Sequence, residues 1–558
     1  MGNQALYLKR NMKKKLLFPI LFASLLTLSA CGNSASNGGD ESKGSDEPGT
    51  VETARKILNA SLKKEVIELD AKTKVLCDVE GVSYHTSDPN IASIDAQGNI
   101  EGINGGMARI TVSKEGYFDK VLKVYVDDPL TVDYLVEGYE FGPAICGVKL
   151  NLEGKVKATD LANVQFNVKT NNTNRNILSV DLCDPEGEII NATESNYIRF
   201  SLEVTSSTYS ASGGAQCFSY TNMNDWMSNI RAEVSIKSGT LVAGEDSFSN
   251  LTVNRIRSRI VTSTREWGEA KSHTAEGYTL TYKGFEPDRL REDGVLNPLV
   301  IWLHGQGEGG TDPDIAILGN DVTELGNEKI QSHFVKGQQK GAYVLAAQTP
   351  TMWMNSGSGS NNGGTGHSIY TKTLKSLIDK FIADNGDIDT KRIFVGGCSN
   401  GGYMTMEMAV NYGNFFRGFY PCCEAYSDSF VEDSDIAKLK DLPMWFVHAA
   451  NDRTVNPNNF TLATYQRLMS AGAKDVHLSY FVDVRGTQGN PRGNNYDGHW
   501  SWIYIFRDEV EFDQADPNNI SAPSTQPVKD ANGNTVNLFD WMESMKQKTL
   551  FKNKLKST

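Results

Sequence analysis

The C-terminal half of the chain contains four short apolar runs, and helix-like segments lie among them. Each run is almost free of polar side chains, as expected for strands that are buried on both faces. The apolar runs are 298–303, 342–346, 392–395 and 443–447, and the helix-like segments include 370–383 and 460–471. Because strands that alternate with helices pair in parallel, this half is predicted to form an α/β domain with a mostly parallel sheet.

The preceding region has a different rhythm. From about residue 60 to 128, and again from 129 to about 285, short β-rich runs alternate with turn residues. In 198–205, apolar and polar side chains alternate with period two, which indicates a strand with one buried face. We therefore expect two all-β sandwiches. The second region is too short for a seven-bladed propeller and shows no repeat of ~40 to 50 residues.

The first thirty residues are similar to an export signal. Five cations and no anion precede the apolar run 16–28, which is too short to span a bilayer. The small residues before Cys31 resemble the lipobox of bacterial lipoproteins, which implies cleavage before Cys31 and lipidation of its thiol. Ordinary secretion with an incidental cysteine is the alternative. Residues 32–49 are rich in Gly, Ser, Asn and acidic residues, which predicts a flexible tether.

These boundaries predict five segments. They are a lipoprotein signal (1–30), a flexible linker (31–59), a first sandwich (60–128), a second sandwich (129–287) and the α/β domain (288–558). The protein would then lie on the extracellular face of a bacterial membrane and contact that membrane only through its N-terminal lipid.

Charge and cysteine content exclude several kinds of function. The chain has 68 Asp and Glu against 55 Lys and Arg, and no basic cluster lies beyond the first fifteen residues, so nucleic-acid binding is not expected. If Cys31 carries the lipid, seven of the eight cysteines remain, an odd number without any C-x-x-C pair. We therefore expect no structural metal, no disulfide scaffold and no cofactor. Free thiols at Cys422 and Cys423 are favoured over a strained ring between them.

The sequence Gly397-Cys398-Ser399-Asn400-Gly401 follows a predicted strand and opens a predicted helix. This is the G-x-S-x-G nucleophile elbow, whose glycines permit a turn tight enough to project the central serine. In a chain with 51 glycines the pattern alone is weak, and the strand-turn-helix context makes it specific. Cys398 is a rival nucleophile, but it lies one position away from the apex. Ser399 is therefore the predicted nucleophile.

A serine nucleophile needs a base, and the base needs an orienting carboxylate. In folds with this elbow the chain order is Ser, acid, His. Asp452 follows the predicted strand 443–447, 53 residues after Ser399, and His499 comes 47 residues later. The alternatives are a turn or capping role for Asp452 and a plain surface position for His499. His448 is interpreted as a packing residue at the strand end.

Two backbone donors are needed to bind a tetrahedral oxyanion. Asn400, directly after the serine, is predicted to supply one N–H, and Gln306 in the glycine-rich loop 303–310 is predicted to supply the other. The same loop could be mistaken for a phosphate cradle, but it lacks the Lys-Ser/Thr pair. Several aromatic and acidic residues near the motifs are candidates for a substrate pocket, although core or rim positions fit them equally. These candidates are Trp353, Tyr403, Glu424, Trp500 and Trp502.

Residues from about 290 to 510 resemble the α/β-hydrolase family of secreted prolyl-oligopeptidase-like "predicted peptidases" and carboxylesterases. The resemblance rests on LVIWLHGQGEGGTD, GAYVLAAQTPTMW, GGCSNGGYMT, HAANDRTV and GHWSW. The chain is similar in particular to thermophilic bacterial esterases with an Ig-like domain ahead of the catalytic domain. The resemblance implies a triad of Ser399, Asp452 and His499. Departures are the residues that flank the serine and a long polar region at 488–496.

Residues 60–128 resemble a bacterial Ig-like domain of group 2 through SDPNIASID and the spaced glycines that follow it. Together, the resemblances imply two Ig-like sandwiches followed by an α/β-hydrolase domain. The predicted function is a lipid-anchored extracellular serine carboxylesterase that acts on a small-molecule or polysaccharide-linked ester. The alternatives are a prolyl-oligopeptidase-like peptidase and an adhesive or carbohydrate-binding lipoprotein with a vestigial hydrolase. The sequence leaves the ester and the oligomeric state open.

Overall fold

The computed structural model describes residues 55–545, except 208–209, 221–222, 358–363, 487–494, 515, 517–518 and 531. The predicted signal, the lipidation site Cys31 and most of the predicted linker lie outside the described residues.

Two four-stranded sheets share one apolar core in the region that follows. Side chains from both sheets meet in that core, among them Ile100, Ile110 and Val124. In Gly106–Ser113, buried residues alternate with half-buried ones, as the period-two pattern requires. The first sheet has the spatial order Ala60–Leu62, Lys72–Cys77, Asn99–Gly102 and Ala92–Ile94. The second sheet has the order Val66–Glu68, Lys120–Asp127, Gly106–Ser113 and Ser83–Thr86. The Ig-like identity of this region stays a prediction.

A five-stranded and a four-stranded sheet form the second β-region around a core that includes Val148, Val168 and Phe200. The five-stranded sheet has the spatial order Ile177–Cys183, Glu194–Leu202, Ala144–Lys157, Thr131–Glu137 and Ile256–Val261. The four-stranded sheet has the order Thr173–Asn174, Gln165–Thr170, Ala232–Ser238 and Thr252–Val253. Helix Ala158–Leu161 and three hairpins complete the region. The hairpins are Thr205–Ser207 with Ser210–Ser212, Phe218–Tyr220 with Asn224–Trp226, and Leu241–Ala243 with Asp246–Phe248. The strand predicted at 198–205 is Glu194–Leu202.

An eight-stranded sheet forms the centre of the C-terminal part. Its strands are β1 (Lys271–Ala275), β2 (Tyr278–Phe285), β3 (Asn297–Leu303), β4 (Tyr343–Gln348), β5 (Ile388–Cys398), β6 (Gly418–Cys422), β7 (Met444–Ala449) and β8 (Val476–Phe481). Their spatial order is β1-β2-β4-β3-β5-β6-β7-β8, and β2 runs antiparallel to both of its neighbours while the other pairs are parallel. The four predicted apolar runs are β3, β4, β5 and β7.

The predicted boundary at residue 288 is wrong, because β1 and β2 already belong to this sheet. Thr281 on β2 pairs with Gln348 on β4. The first residues of β2 are exposed and only its second half is buried. That pattern suits a sandwich strand as well as an antiparallel strand near the edge of a mixed sheet, so sequence pattern alone does not separate the two.

Helices cover both faces of the sheet. Along β3, Ile301 faces one core together with Leu374 and Met404, while Trp302 faces a second core together with Phe506. The helices after β2 are Asp288–Arg291, Pro313–Leu318, Glu328–Gln331, Thr371–Asp384, Asn400–Tyr412, Asp433–Leu439, Thr461–Ser470, Trp502–Phe506 and Leu538–Ser544. The predicted helices at 370–383 and 460–471 lie within one residue of two of these. None of the helices in the described part of the chain is long and apolar enough to cross a membrane.

Short elements connect these layers. The 3-10 helices are Thr262–Thr264, Gln306–Glu308, Val322–Gly326, Ser332–Phe334, Gly413–Phe415, Asp428–Phe430, Pro457–Asn459 and Gly498–Trp500. The two-stranded pairs are Val335–Lys336 with Gln339–Lys340, Val484–Arg485 with Asn495–Tyr496, and Phe512–Asp513 with Gln526–Pro527.

Two histidine–carboxylate clusters tie the C-terminal segment to this domain. His333 lies 2.8 Å from both Asp508 and Asp540. The bond to Asp508 raises the pKa of His333 to about 9. Partial burial opposes this shift, and the bond to Asp540 adds to it. On β8, His477 lies 2.7 Å from Asp513, and although burial opposes its charge, its carboxylate partners raise its pKa to about 9. Both imidazoles are therefore cations at neutral pH.

We predict that the stabilising effect of His333 is lost in alkaline solution. The folded pKa lies above the ordinary value of about 6.5, so the contribution is fully present below that value and disappears as pH rises through about 9. The gap in unfolding free energy between wild type and His333→Gln should be about 3 kcal/mol at most at pH 6 and close to zero at pH 10. Urea unfolding at both pH values measures it, with exposed His85→Gln as control. A gap that does not change with pH would contradict the prediction.

Candidate active site

The junction between β5 and helix Asn400–Tyr412 holds Ser399 in a conformation that non-glycine residues rarely adopt. Its φ is 55° and its ψ is −112°. The Ser399 N–H donates to the Cys422 carbonyl at 2.9 Å, and the Ser399 carbonyl accepts from the Tyr403 N–H at 2.9 Å. These two bonds fix the turn on both sides of the serine. Backbone strain of this kind persists only where the surroundings enforce it, and it points the hydroxyl out of the sheet edge.

The helix can start so close to the sheet only because position 401 is glycine. A Cβ atom on Gly401 would lie 1.9 Å from the Leu303 carbonyl oxygen at the end of β3. No side chain fits this contact. The G-x-S-x-G pattern therefore has a direct steric cause in this fold.

Ser399, His499 and Asp452 form one hydrogen-bonded line. Ser399 Oγ lies 2.9 Å from His499 Nε2, and His499 Nδ1 lies 2.9 Å from Asp452 Oδ2. Because an ionised carboxylate only accepts, Nδ1 carries the proton and the Nε2 lone pair faces the serine. The Asp497 carboxylate accepts from the backbone N–H groups of His499 (3.0 Å) and Arg453 (3.2 Å), which joins the two loops that carry the histidine and the acid.

Asp452 is held as a carboxylate. Its side chain is fully buried, and burial by itself favours the neutral acid. Hydrogen bonds with His448 and His499 outweigh burial and lower the pKa of Asp452 well below its ordinary range. The backbone N–H groups of Thr454 and Val455 donate to its other oxygen, both at 2.8 Å. The negative charge opposite His499 is therefore permanent at physiological pH.

His448 does not act as a plain packing residue, contrary to the interpretation from sequence. Its Nε2 lies 3.0 Å from Asp452 Oδ2, and its Nδ1 lies 2.9 Å from Thr461 Oγ1. Thr461 Oγ1 in turn bonds Glu424 at 3.1 Å. Burial raises the pKa of Glu424 well above its ordinary value, so this carboxyl is neutral and adds no second negative charge behind Asp452. The available signal was the four-residue spacing between His448 and Asp452 across a strand end.

The two predicted oxyanion donors both stand at the start of helical turns. Asn400 is the first residue of its helix, and Gln306 opens the 3-10 helix Gln306–Glu308. N–H groups at these positions have no partner within their own helix and carry its positive end. His304 steadies the second loop, because its Nδ1 bonds the Gly305 carbonyl at 2.6 Å and its Nε2 accepts from the Thr349 N–H at 3.1 Å. Burial lowers the pKa of His304 to about 4, so it stays neutral.

A cavity of about 450 Å³ opens onto Ser399 and His499, and Gln306 lies in its wall. Residues of the second β-region also line this cavity. They are Phe141, Ser210, Tyr220 and Asn224. Sequence analysis missed all four, since they lie far upstream and no motif marks them.

Of the predicted pocket residues, the structure brings only the two tryptophans beside His499, Trp500 and Trp502, to this cavity. Trp353, Tyr403 and Glu424 are fully buried and belong to the interior instead. They are close to the motifs in sequence, but the loop and helix that carry them turn their side chains inward. Trp353 still supports the site through its backbone N–H, which donates to Asn400 Oδ1 at 2.5 Å.

We predict that His448→Leu slows the reaction of Ser399 with a fluorophosphonate roughly tenfold. Asp452 would lose one of its two imidazole partners, a charge-assisted bond of about 1.5–3 kcal/mol, and would orient His499 less firmly. Labelling rates measured at one pH test this, with His367→Leu as the control because His367 is exposed. An unchanged rate in a folded His448→Leu protein would disprove the role.

Comparison with known proteins agrees with this architecture. Residues 292–514 match the family model described as Phospholipase/Carboxylesterase. Among solved structures, that of a thermostable esterase has a TM-score of 0.53 at 21% identity, and the match covers 68% of this chain and 96% of that chain. That share exceeds what the chain from Lys271 onward supplies, so the likeness of fold extends into the β-rich region. No curated protein matches this chain.

Two further solved structures have lower TM-scores. Est1E from Butyrivibrio proteoclasticus has 16% identity and a TM-score of 0.26, with 38% of this chain and 86% of that chain covered. The siderophore hydrolase EstA from Aspergillus nidulans has 10% identity and a TM-score of 0.31, with 40% and 89% covered. The thermostable esterase, with its TM-score of 0.53, is a solved structure that shares this chain's fold. The chain thus joins an N-terminal β-rich region to a C-terminal α/β-hydrolase-like domain.

Proposed function

We propose that this protein hydrolyses carboxylic esters through an acyl-enzyme formed on Ser399. The observation that carries the proposal is the line Ser399–His499–Asp452, with both contacts at 2.9 Å, whose Ser399 and His499 line a cavity large enough for a small ester. The match of residues 292–514 to a carboxylesterase-type family model supports the same reaction class.

In this reaction His499 Nε2 takes the proton of the Ser399 hydroxyl as Oγ attacks the ester carbonyl carbon. Asp452 stabilises the resulting imidazolium, and the N–H groups of Asn400 and Gln306 bind the oxyanion. His499 then gives its proton to the departing alkoxide, which leaves as the alcohol. Water repeats the sequence on the acyl-enzyme, with His499 as base, and releases the acid and free Ser399.

Esters fit this site better than peptides. An alkoxide leaves readily once the tetrahedral intermediate has formed, whereas an amine must be protonated efficiently before it leaves. The described β-sheets ahead of the hydrolase domain are two- to five-stranded sheets packed around several separate cores, not the blades of a propeller that would select short peptides. A purely adhesive protein would not need the ordered Ser399–His499 contact.

We also propose that the protein is an extracellular lipoprotein anchored through Cys31. The support is the sequence alone: cations, then a short apolar run, then small residues directly before the cysteine. The anchor would leave the hydrolase domain exposed to solvent outside the cell.

Ser399→Ala should lower kcat for a short-chain p-nitrophenyl ester by roughly 10⁴- to 10⁶-fold, and His499→Ala by a similar factor, because the residues act as a unit. Steady-state kinetics and fluorophosphonate labelling measure the loss. Full ester hydrolysis by the folded Ser399→Ala protein would remove the serine from the mechanism.

Wild type should cleave p-nitrophenyl esters with kcat/KM at least about a hundredfold above matched p-nitroanilides, a difference of roughly 2.7 kcal/mol in barrier. Activated esters react with any serine hydrolase, so the stricter comparison uses unactivated esters against unblocked di- and tripeptides. Fast peptide cleavage with slow ester turnover would establish the peptidase instead.

Cys31→Ala should release the protein from membranes or block processing of its signal, because the lipid would have no attachment point. Fractionation of cells that express wild type or Cys31→Ala, followed by mass spectrometry of the mature N-terminus, measures this. A wild-type protein that is fully soluble and begins elsewhere would contradict the anchor.

A further inference from the structure

A hairpin of the second β-region lies against the loop that carries the predicted oxyanion donor Gln306. The hairpin consists of Phe218–Tyr220 and Asn224–Trp226. Its Asn224 side chain donates to Glu308 Oε1 at 3.0 Å. Glu308 ends the short helix that Gln306 begins, so this bond reaches across the boundary between the two regions to the oxyanion loop.

Two more contacts fix the same loop from the same hairpin. The indole N–H of Trp226 donates to Asp312 Oδ2 at 2.9 Å, and Asp312 caps helix Pro313–Leu318. The Met223 side chain packs so closely on Gly309 that an added Cβ atom would meet its methyl group at 2.3 Å. The loop is therefore held at its end as well as at Glu308.

The Glu308 carboxyl fills a space between glycine backbones. A Cβ atom on Gly305 would lie 2.9 Å from Oε2, and one on Gly319 would lie 3.0 Å from Oε1. Gln348 at the end of β4 donates to the Glu308 carbonyl at 2.9 Å. The residue is 6% exposed, and among the described residues no Lys or Arg forms an ion pair with it. A buried carboxyl without a cation is costly, so an apolar residue would pack here more cheaply if packing were its whole purpose.

We propose that Glu308 is a positioning residue for the oxyanion loop and that Asn224, from the β-region, holds its carboxyl in place. The inference rests on the proposed function, because it assigns the Gln306 N–H to the transition state. A donor lowers the barrier only if it is fixed before the reaction, and a displacement of about 1 Å can cost as much as a hundredfold in rate. Glu308 lies two residues from that donor, and its carboxyl contacts Gly305 on the donor's other side.

The protonation of Glu308 gives the proposal a second readout. Burial raises the pKa of Glu308 to about 7. Three hydrogen bonds oppose this shift because they favour the charged form, and their donors are the backbone N–H groups of Glu308 and Gly305 and the Asn224 amide. The titratable side chains that face it are Cys398 and Tyr220, and burial raises the pKa of both above its ordinary value. Neither therefore brings a charge near neutral pH.

The test compares Asn224→Ala, Glu308→Ala and Glu308→Gln with wild type on a short-chain p-nitrophenyl ester. We expect Asn224→Ala and Glu308→Ala to lower kcat roughly 10- to 100-fold with KM changed less than about threefold, because the donor acts mainly in the transition state. Glu308→Gln should lose less activity than Glu308→Ala, since its amide oxygen keeps the bond from Asn224, although its NH2 group cannot accept from the Gly305 N–H. Lys120→Ala is the control, because it removes a different contact between the β-rich region and the hydrolase domain, the ion pair with Asp288.

Asn224→Asp keeps the size of the side chain and serves if Asn224→Ala does not fold. Two carboxyl groups hold together only while they share a proton, so its kcat relative to wild type should fall at least about tenfold from pH 6 to pH 9. The inference would be overturned if Asn224→Ala left kcat unchanged or altered only KM. It would also be overturned if Glu308→Gln and Glu308→Ala lost equal activity, or if the kcat of Asn224→Asp relative to wild type did not change with pH. Wild type without activity on any ester would instead overturn the proposed function.

Discussion

The close approach of helix Asn400–Tyr412 to the end of β3 is the constraint from which the rest of the site follows. With Gly401 against the Leu303 carbonyl, the chain has no room for a relaxed turn between β5 and this helix. Ser399 therefore takes the strained conformation and projects its hydroxyl beyond the carboxyl edge of the sheet. The loops that follow β3 and β7 start at that same edge, because all of these strands run in parallel. One steric contact thus sets the point at which Ser399 meets His499 and beside which the two proposed oxyanion donors lie.

Asp452 is the electrostatic centre of this arrangement. Its two oxygens receive bonds from two imidazoles and two backbone N–H groups, which together outweigh the penalty for burying the charge. From Asp452, a chain of hydrogen bonds leads through His448 and Thr461 to Glu424. A charged carboxylate at Glu424 would compete with Asp452 for the His448 imidazole. Deep burial prevents that competition by keeping Glu424 protonated. The charge that orients His499 is therefore single and fixed.

The sequence predicts those parts of the molecule that are governed by local rules. Strands β3, β4, β5 and β7 are continuous apolar runs because helices cover both of their faces, and the elbow is recognisable because its glycines have a steric cause. By contrast, β1 and β2 are half-exposed and resemble the preceding sandwich strands. The orientation of a side chain also lies beyond a local pattern, so the sequence leaves open whether Trp353 and Tyr403 line the pocket or belong to the interior, where both are fully buried. His448 and Asn224 contribute through contacts that folding creates. The four-residue spacing to Asp452 is a sequence signal for His448, whereas no motif marks Asn224.

The role of the β-rich region follows from where the cavity lies. Its wall joins Phe141, Tyr220 and Asn224 of one region to Gln306 and His499 of the other, so neither region alone encloses a substrate. A single hydrogen bond such as that between Asn224 and Glu308 contributes only about 1 kcal/mol, too little to hold two domains in register. Trp226, Met223 and Asn224 belong to one hairpin, however. The entropy cost of ordering that hairpin is therefore shared among their three contacts. These contacts reach the loop at Glu308, Gly309 and Asp312, so the position of the Gln306 N–H depends on how firmly the two regions are docked.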